Sequence, residues 1–119
     1  MRAALPILLL VLAPGASAAP PAATQREVAA LFDALAQSDC RFSRNGSWHD
    51  AARARQHLQR KYDYLLERDA VASTERFIEL AATRSSLSGR PYLVRCGSAP
   101  AVESATWFRR VLARVRGAR

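Results

Sequence analysis

The sequence predicts a mainly α, α+β domain: about four helices with a small two-stranded antiparallel ribbon, stapled by one disulfide. Three observations lead there. Apolar residues recur at helical spacing in four separate segments. Two short segments alternate instead, and each carries a cysteine. Those two cysteines, Cys40 and Cys96, follow an apolar leader, and an even count in an exported chain reads as one bridge.

The leader occupies residues 1–18. Met1-Arg2 is a short positive start, an apolar run interrupted by Pro6 follows, and Ala16-Ser17-Ala18 offers the small residues of a cleavage site before Ala19. The run is short for a membrane span, which takes about 20 apolar residues, and it has no counterpart further along. Residues 19–119 are therefore expected to form one soluble, exported domain, with an ordered core over about residues 24–116. A chain of that size buries a modest core and benefits from a covalent staple, here about 4 kcal/mol at most.

After a Pro/Ala stub, Thr24 and Glu27 have the spacing of a capping box. Val28, Leu31, Phe32 and Leu35 then form the stripe of a first helix, fading near Ser38. Residues 40–44 read as a strand, with Cys40 and Phe42 on one side and Arg41 and Ser43 on the other. Asn45-Gly46 is a turn signal because both residues tolerate positive φ. A second helix is expected from about residues 47–50 to residue 68, burying Ala51, Ala54, Leu58, Tyr62 and Leu65. Its shoulder carries Arg53, His57, Arg60, Lys61, Tyr64 and Arg68. A third helix begins near Ser73 or Thr74, with Phe77, Ile78 and Ala81 inward, and runs to about residue 84. Residues 85–91 (SSLSGRP) form a polar loop. Residues 92–96 return as a strand, and pairing them with residues 40–44 brings the cysteines together. Residues 97–103 read as a loop. Ser104 is expected to cap a last helix striped with Trp107, Phe108, Val111, Leu112 and Val115.

In combination and order, several motifs resemble one family: Cys40-Arg41-Phe42 with Arg44-Asn45-Gly46, then Ala54 with His57-Leu58 and Lys61. Thr74-Glu75 with Phe77-Ile78, and Ser85-Ser86-Leu87-Ser88-Gly89 with Pro91-Tyr92, continue it. The chain is similar over about residues 27–112 to an exported bacterial domain-of-unknown-function family, number 5329. The resemblance implies an exported bacterial protein, periplasmic or secreted, and a bridge that stabilises rather than reacts. It brings no activity, substrate, cofactor or catalytic residue.

Chemistry-bearing residues gather around the second helix. His57 and Lys61 are i and i+4, hence neighbours on one edge, and Tyr64 continues it. Packing the serine loop against that edge would assemble a candidate pocket of Asn45, His57, Lys61, Tyr64, Ser85, Ser86, Ser88 and Tyr92. Its donors suit an anion. A serine of residues 85–88 with His57 as base would instead make a small hydrolase, but no nucleophile-elbow motif or orienting third residue supports that version. The same residues also serve structure, His57 and Lys61 fixing loop carbonyls and the serines capping the turn. No metal is expected: His49 and His57 are poorly spaced and both cysteines are committed to the bridge. No other cofactor is indicated.

The net charge of +8, with Lys61 the lone lysine, favours an anionic ligand or envelope component, though arginine bias also follows genome composition. Nucleic acid has the charge and Trp48, Tyr64 and Tyr92 as stacking groups, but export argues against it. The last helix, with Arg109, Arg110, Arg114 and Arg116 outward, suits an anionic surface. The resulting expectation is an exported binding or accessory module without catalytic activity. The alternatives are the periplasmic hydrolase and a basic envelope-surface protein binding anionic polymers or lipids.

Overall fold

The computed structural model describes residues 2–8 and 19–118; the expected cleavage motif Ala16-Ser17-Ala18 lies outside them. The element order is α1 (Ala22–Gln37), β1 (Arg41–Arg44), β2 (Ser47–His49), α2 (Ala51–Leu66), α3 (Thr74–Ala81), β3 (Leu93–Arg95), β4 (Val102–Glu103) and α4 (Ser104–Gly117). Among the described residues, no helix is long and apolar enough to cross a membrane.

The sheet is larger than the two-stranded ribbon expected from the sequence. Four antiparallel strands lie in the order β2-β1-β3-β4. The extra strand β2 occupies residues assigned above to the start of the second helix. The cause is the Asn45-Gly46 turn. Both residues have positive φ, 52° and 83°, the backbone that matches the twist of a tight hairpin. The chain reverses at once, and Trp48 pairs with Ser43 before Asp50 can open a helix. Asp50 then caps α2, its carboxylate accepting from the Arg53 amide at 2.9 Å. At the far edge, Val102 pairs with Val94, turning part of an expected loop into β4.

The central pairing is the expected one. Arg41 opposes Arg95 and Phe42 opposes Val94, which sets the Cys40–Cys96 disulfide at the end of the ladder, closing a separation of 56 residues.

Other helix ends also differ from the sequence reading; α2 stops at Leu66, short of residue 68. α1 is already running at Ala22, so Thr24 is not its cap. Glu27 does not fold back to cap it either; its buried carboxylate accepts from the Thr74 hydroxyl at 2.6 Å and from Arg116 at 2.8 and 3.2 Å. It ties α1 to α3 and α4. Ser104 is the first helical residue of α4, not its cap, and is buried. α3 stops at Ala81, short of residue 84; its start is as expected, the Ser73 hydroxyl accepting from the Arg76 amide at 3.0 Å.

The helical stripes meet in one core. Leu31, Leu35, Phe77, Ile78 and Phe108 are essentially fully buried. Phe77 lies edge-on to Phe32 and Tyr62, at centroid distances of 5.8 and 5.2 Å. Trp107 bridges Phe42 of the sheet and Phe108 of its own helix, at 5.7 and 4.9 Å; such ring pairs add to plain burial. The α4 stripe is thus core. The expected buried side of α2 also packs inward, Ala51 and Leu58 buried and Ala54, Tyr62 and Leu65 against the same cluster. This rotation leaves the His57 and Lys61 edge of α2 facing the hairpin end and the residues entering β3.

Candidate functional site

Three segments converge at that edge. β1 ends in Arg44, on the same side of the strand as Phe42. α2 presents His57 and Lys61 one turn apart. Tyr92 enters β3 from a tightly closed loop: the Ser85 amide donates to the Arg90 carbonyl at 3.0 Å, the Gly89 amide to the Ser85 carbonyl at 2.9 Å, and the Tyr92 amide to the Thr83 carbonyl at 3.0 Å. The Tyr92 carbonyl accepts from the Ser104 amide at 2.8 Å, which fixes the base of the side chain.

The polar atoms form one chain of contacts. Arg44 Nη1 lies 2.7 Å from His57 Nδ1. A guanidinium only donates, so Nδ1 accepts. His57 Nε2 lies 3.0 Å from the Tyr92 hydroxyl. Lys61 Nζ donates to the same hydroxyl at 3.1 Å and to the Arg84 carbonyl at 3.2 Å. Its ammonium also sits 5.0 Å from the Tyr92 ring centre.

These surroundings keep His57 neutral. Burial, then the positive charges of Arg44, Lys61 and Arg60, lower its pKa from 6.5 to about 4. With Nδ1 accepting, the neutral ring carries its hydrogen on Nε2 and donates to Tyr92. Lys61 is pushed below its ordinary value by burial and by Arg44. Burial raises the Tyr92 phenol, and Arg44 offsets part of that rise.

A cleft opens beside this chain, between the hairpin and α2. Phe42, Ala54 and Leu58 give it an apolar floor, and Arg44, His49, Arg53, His57, Arg60 and Tyr92 line the rest with Ser43 and Ser104. It contains about 550 Å³ of empty space, open solvent included. Among the described residues, no carboxylate lines it.

The sequence-derived candidates divide into three sets. His57, Lys61 and Tyr92 come together directly. Asn45, Ser85 and Ser88 form a second, self-contained cluster: Asn45 donates to the Ser85 hydroxyl at 3.4 Å and accepts from Ser88. The Ser85 oxygen also takes the Leu87 and Ser88 amides at 3.2 and 3.3 Å, an arrangement that shapes a turn. Tyr64 and Ser86 join neither set. Tyr64 is exposed under the Arg68 guanidinium, 3.4 Å from its ring centre, and Ser86 is exposed on the turn. No serine of residues 85–88 bonds to His57, both of whose nitrogens are engaged elsewhere.

Sequence reasoning missed Arg44 as a site residue. Its signal was the strand alternation, which puts Arg44 on the inward side with Cys40 and Phe42, where a guanidinium needs an acceptor. Among the described residues, no group of three or more His, Cys, Asp or Glu is placed to hold a metal ion.

A family model described as "Family of unknown function (DUF5329)" matches residues 22–116. Among curated proteins, the "Uncharacterized protein YfeK" of Salmonella typhimurium is 36% identical over 69 residues, covering 57% of this chain and 56% of the relative. The chain thus spans little more than half the length of that relative. No solved structure matches.

Proposed function

The chain belongs to DUF5329, a family of unknown function, and on that footing we propose that it is an exported binding module without catalytic activity, whose ligand is a small anion held in the cleft between the β1–β2 hairpin and α2. One observation carries the reading: Arg44, Arg53 and Arg60 converge on a cleft with no carboxylate among its described lining residues. Three guanidiniums offer bidentate donors to an oxyanion. The neutral His57 adds no charge of its own, so the field is that of the arginines. The apolar leader and the disulfide support export.

The hydrolase reading has less to stand on. A serine nucleophile needs a base within hydrogen-bond reach. His57 is bonded to Arg44 and Tyr92 instead; the Ser85 and Ser88 hydroxyls are engaged by amides of their own turn and by Asn45, and Ser86 is exposed, away from His57.

The test is calorimetric titration with inorganic phosphate and with hexanoate, on wild type and on Arg53→Gln and Arg60→Gln. Both side chains are exposed, so the fold should tolerate either change. Each variant is expected to bind about tenfold more weakly, and wild-type affinity should fall as salt rises. Absence of binding by both anions at millimolar concentration would overturn the proposal. A periplasmic form beginning at Ala19 is the expected result of fractionation and N-terminal sequencing.

A further inference from the structure

We propose that the Tyr92 hydroxyl is the specificity-determining donor of this cleft, and that the ligand presents an oxyanion oxygen, carboxylate or phosphate, to accept its hydrogen. The inference rests on the anion-site reading and adds to it which group of the protein reads the ligand and what chemistry it selects.

The hydrogen-bond valences around the Tyr92 hydroxyl are nearly filled by its neighbours. Arg44 donates to His57 Nδ1, so the neutral ring donates from Nε2 to Tyr92 Oη at 3.0 Å. Lys61 donates to the same oxygen at 3.1 Å. These two bonds occupy both lone pairs of the phenol oxygen. Its own hydrogen must then be given away, and neither neighbour can take it: the imidazole nitrogen already carries a hydrogen, and an ammonium has no lone pair. Tyr92 is only 6% exposed, so bulk water serves that hydrogen poorly, yet the residue lines the cleft. An acceptor arriving in the cleft completes the set.

The arrangement is selective by polarity. The guanidiniums of Arg44, Arg53 and Arg60 and the Tyr92 hydroxyl are all donors. A carboxylate or phosphate oxygen accepts from them. An amide or amine of the same shape brings no negative charge to the guanidiniums, and its hydrogens meet only the Ser43 and Ser104 hydroxyls and the His49 ring there, a mismatch that weakens its binding. Phe42, Ala54 and Leu58 give an apolar body attached to the anionic head a surface to pack against.

The experiment compares hexanoate, hexanamide and inorganic phosphate on wild type and Tyr92→Phe by titration. Wild type should bind hexanoate and not hexanamide, and Tyr92→Phe should lose about tenfold in anion affinity while keeping the salt dependence set by the arginines. Hexanoate binding more tightly than phosphate would identify a carboxylate with an apolar tail; the reverse would identify a phosphate head. Equal affinity of Tyr92→Phe and wild type would overturn the donor role and leave the anion site standing. Failure of both anions on wild type would remove the anion site itself. Nitrogen-15 NMR of His57 in the free wild-type protein gives a check that needs no variant: the Nε2–H tautomer is expected, and a hydrogen on Nδ1 would overturn the proposal.

Discussion

Lowering the pH from 7.5 to 5 should destabilise this protein through His57. Its pKa is 6.5 as a free side chain and about 4 in the fold. The unfolded chain therefore takes up a proton below pH 6.5 that the folded chain refuses until about pH 4. Stability from this group is complete above 6.5 and is lost as pH falls toward 4. At pH 5 the full difference amounts to about 2 kcal/mol. His57 is only half-buried, so solvent screening reduces the expected loss to about 1 kcal/mol. The assay is urea denaturation at the two pH values for wild type and His57→Gln, whose side chain does not titrate. His49, also on the cleft, is present in both proteins, and its contribution cancels in the difference. At pH 5 most aspartates and glutamates are still ionised, which isolates the histidine. Wild type should lose about 1 kcal/mol more than the variant on acidification, a midpoint shift of roughly 4–8 °C in a thermal version. Equal losses in the two proteins would refute the lowered pKa of His57.

Two further expectations concern the frame that holds the site. Arg116→Ala removes both guanidinium bonds to the buried Glu27 carboxylate and the contact with Glu75; allowing for the partial exposure of Arg116, it should cost about 2 kcal/mol, read as a melting-point fall of roughly 8–15 °C. Arg116 also holds the Glu75 carboxyl below its ordinary value of 4.5, so that part of the stability exists above pH 4.5 and fades as pH falls further; the variant should show a flatter acid limb, and a melting point unchanged within about 2 °C would contradict the role. Reducing Cys40–Cys96, which closes a separation of 56 residues, should lower stability by up to about 4 kcal/mol, measured as a denaturation midpoint with and without reductant; an unchanged midpoint would mean that the bridge constrains little in the unfolded chain.

What the sequence made legible follows from the range of the interactions involved. The stripe of α1 and the Ser73 cap of α3 are local signals, and they hold. So does the joining of the two cysteine-bearing strands, because pairing Phe42 with Val94 is also what aligns the cysteines. β2 was hidden because Ser47-Trp48-His49 has no alternation long enough to oppose the helix signal behind it; the Asn45-Gly46 turn decides the matter. Glu27 misled for a related reason. Its spacing from Thr24 satisfies a local capping rule, but the partners that hold it, Thr74 and Arg116, lie 47 and 89 residues away in sequence. His57 and Lys61 could be paired by helical periodicity alone. Their meeting with Tyr92 and Arg44 depends on how the closed loop and the hairpin dock, which no single segment encodes.

Two of the polar clusters among the described residues are built in opposite ways. Where α1 must bury the Glu27 carboxylate, the fold answers with opposite charge: Arg116 neutralises it and Thr74 adds a hydrogen bond. Around Tyr92 the fold does the reverse. It brings Arg44, His57 and Lys61 to one phenol and its neighbours, and their mutual repulsion and burial depress the basicity of both His57 and Lys61. A His–Tyr pair alone would fix the loop without that cost. An anion bound in the cleft, as proposed, would offset that repulsion and offer an acceptor to the Arg53 and Arg60 guanidiniums and the Tyr92 hydroxyl.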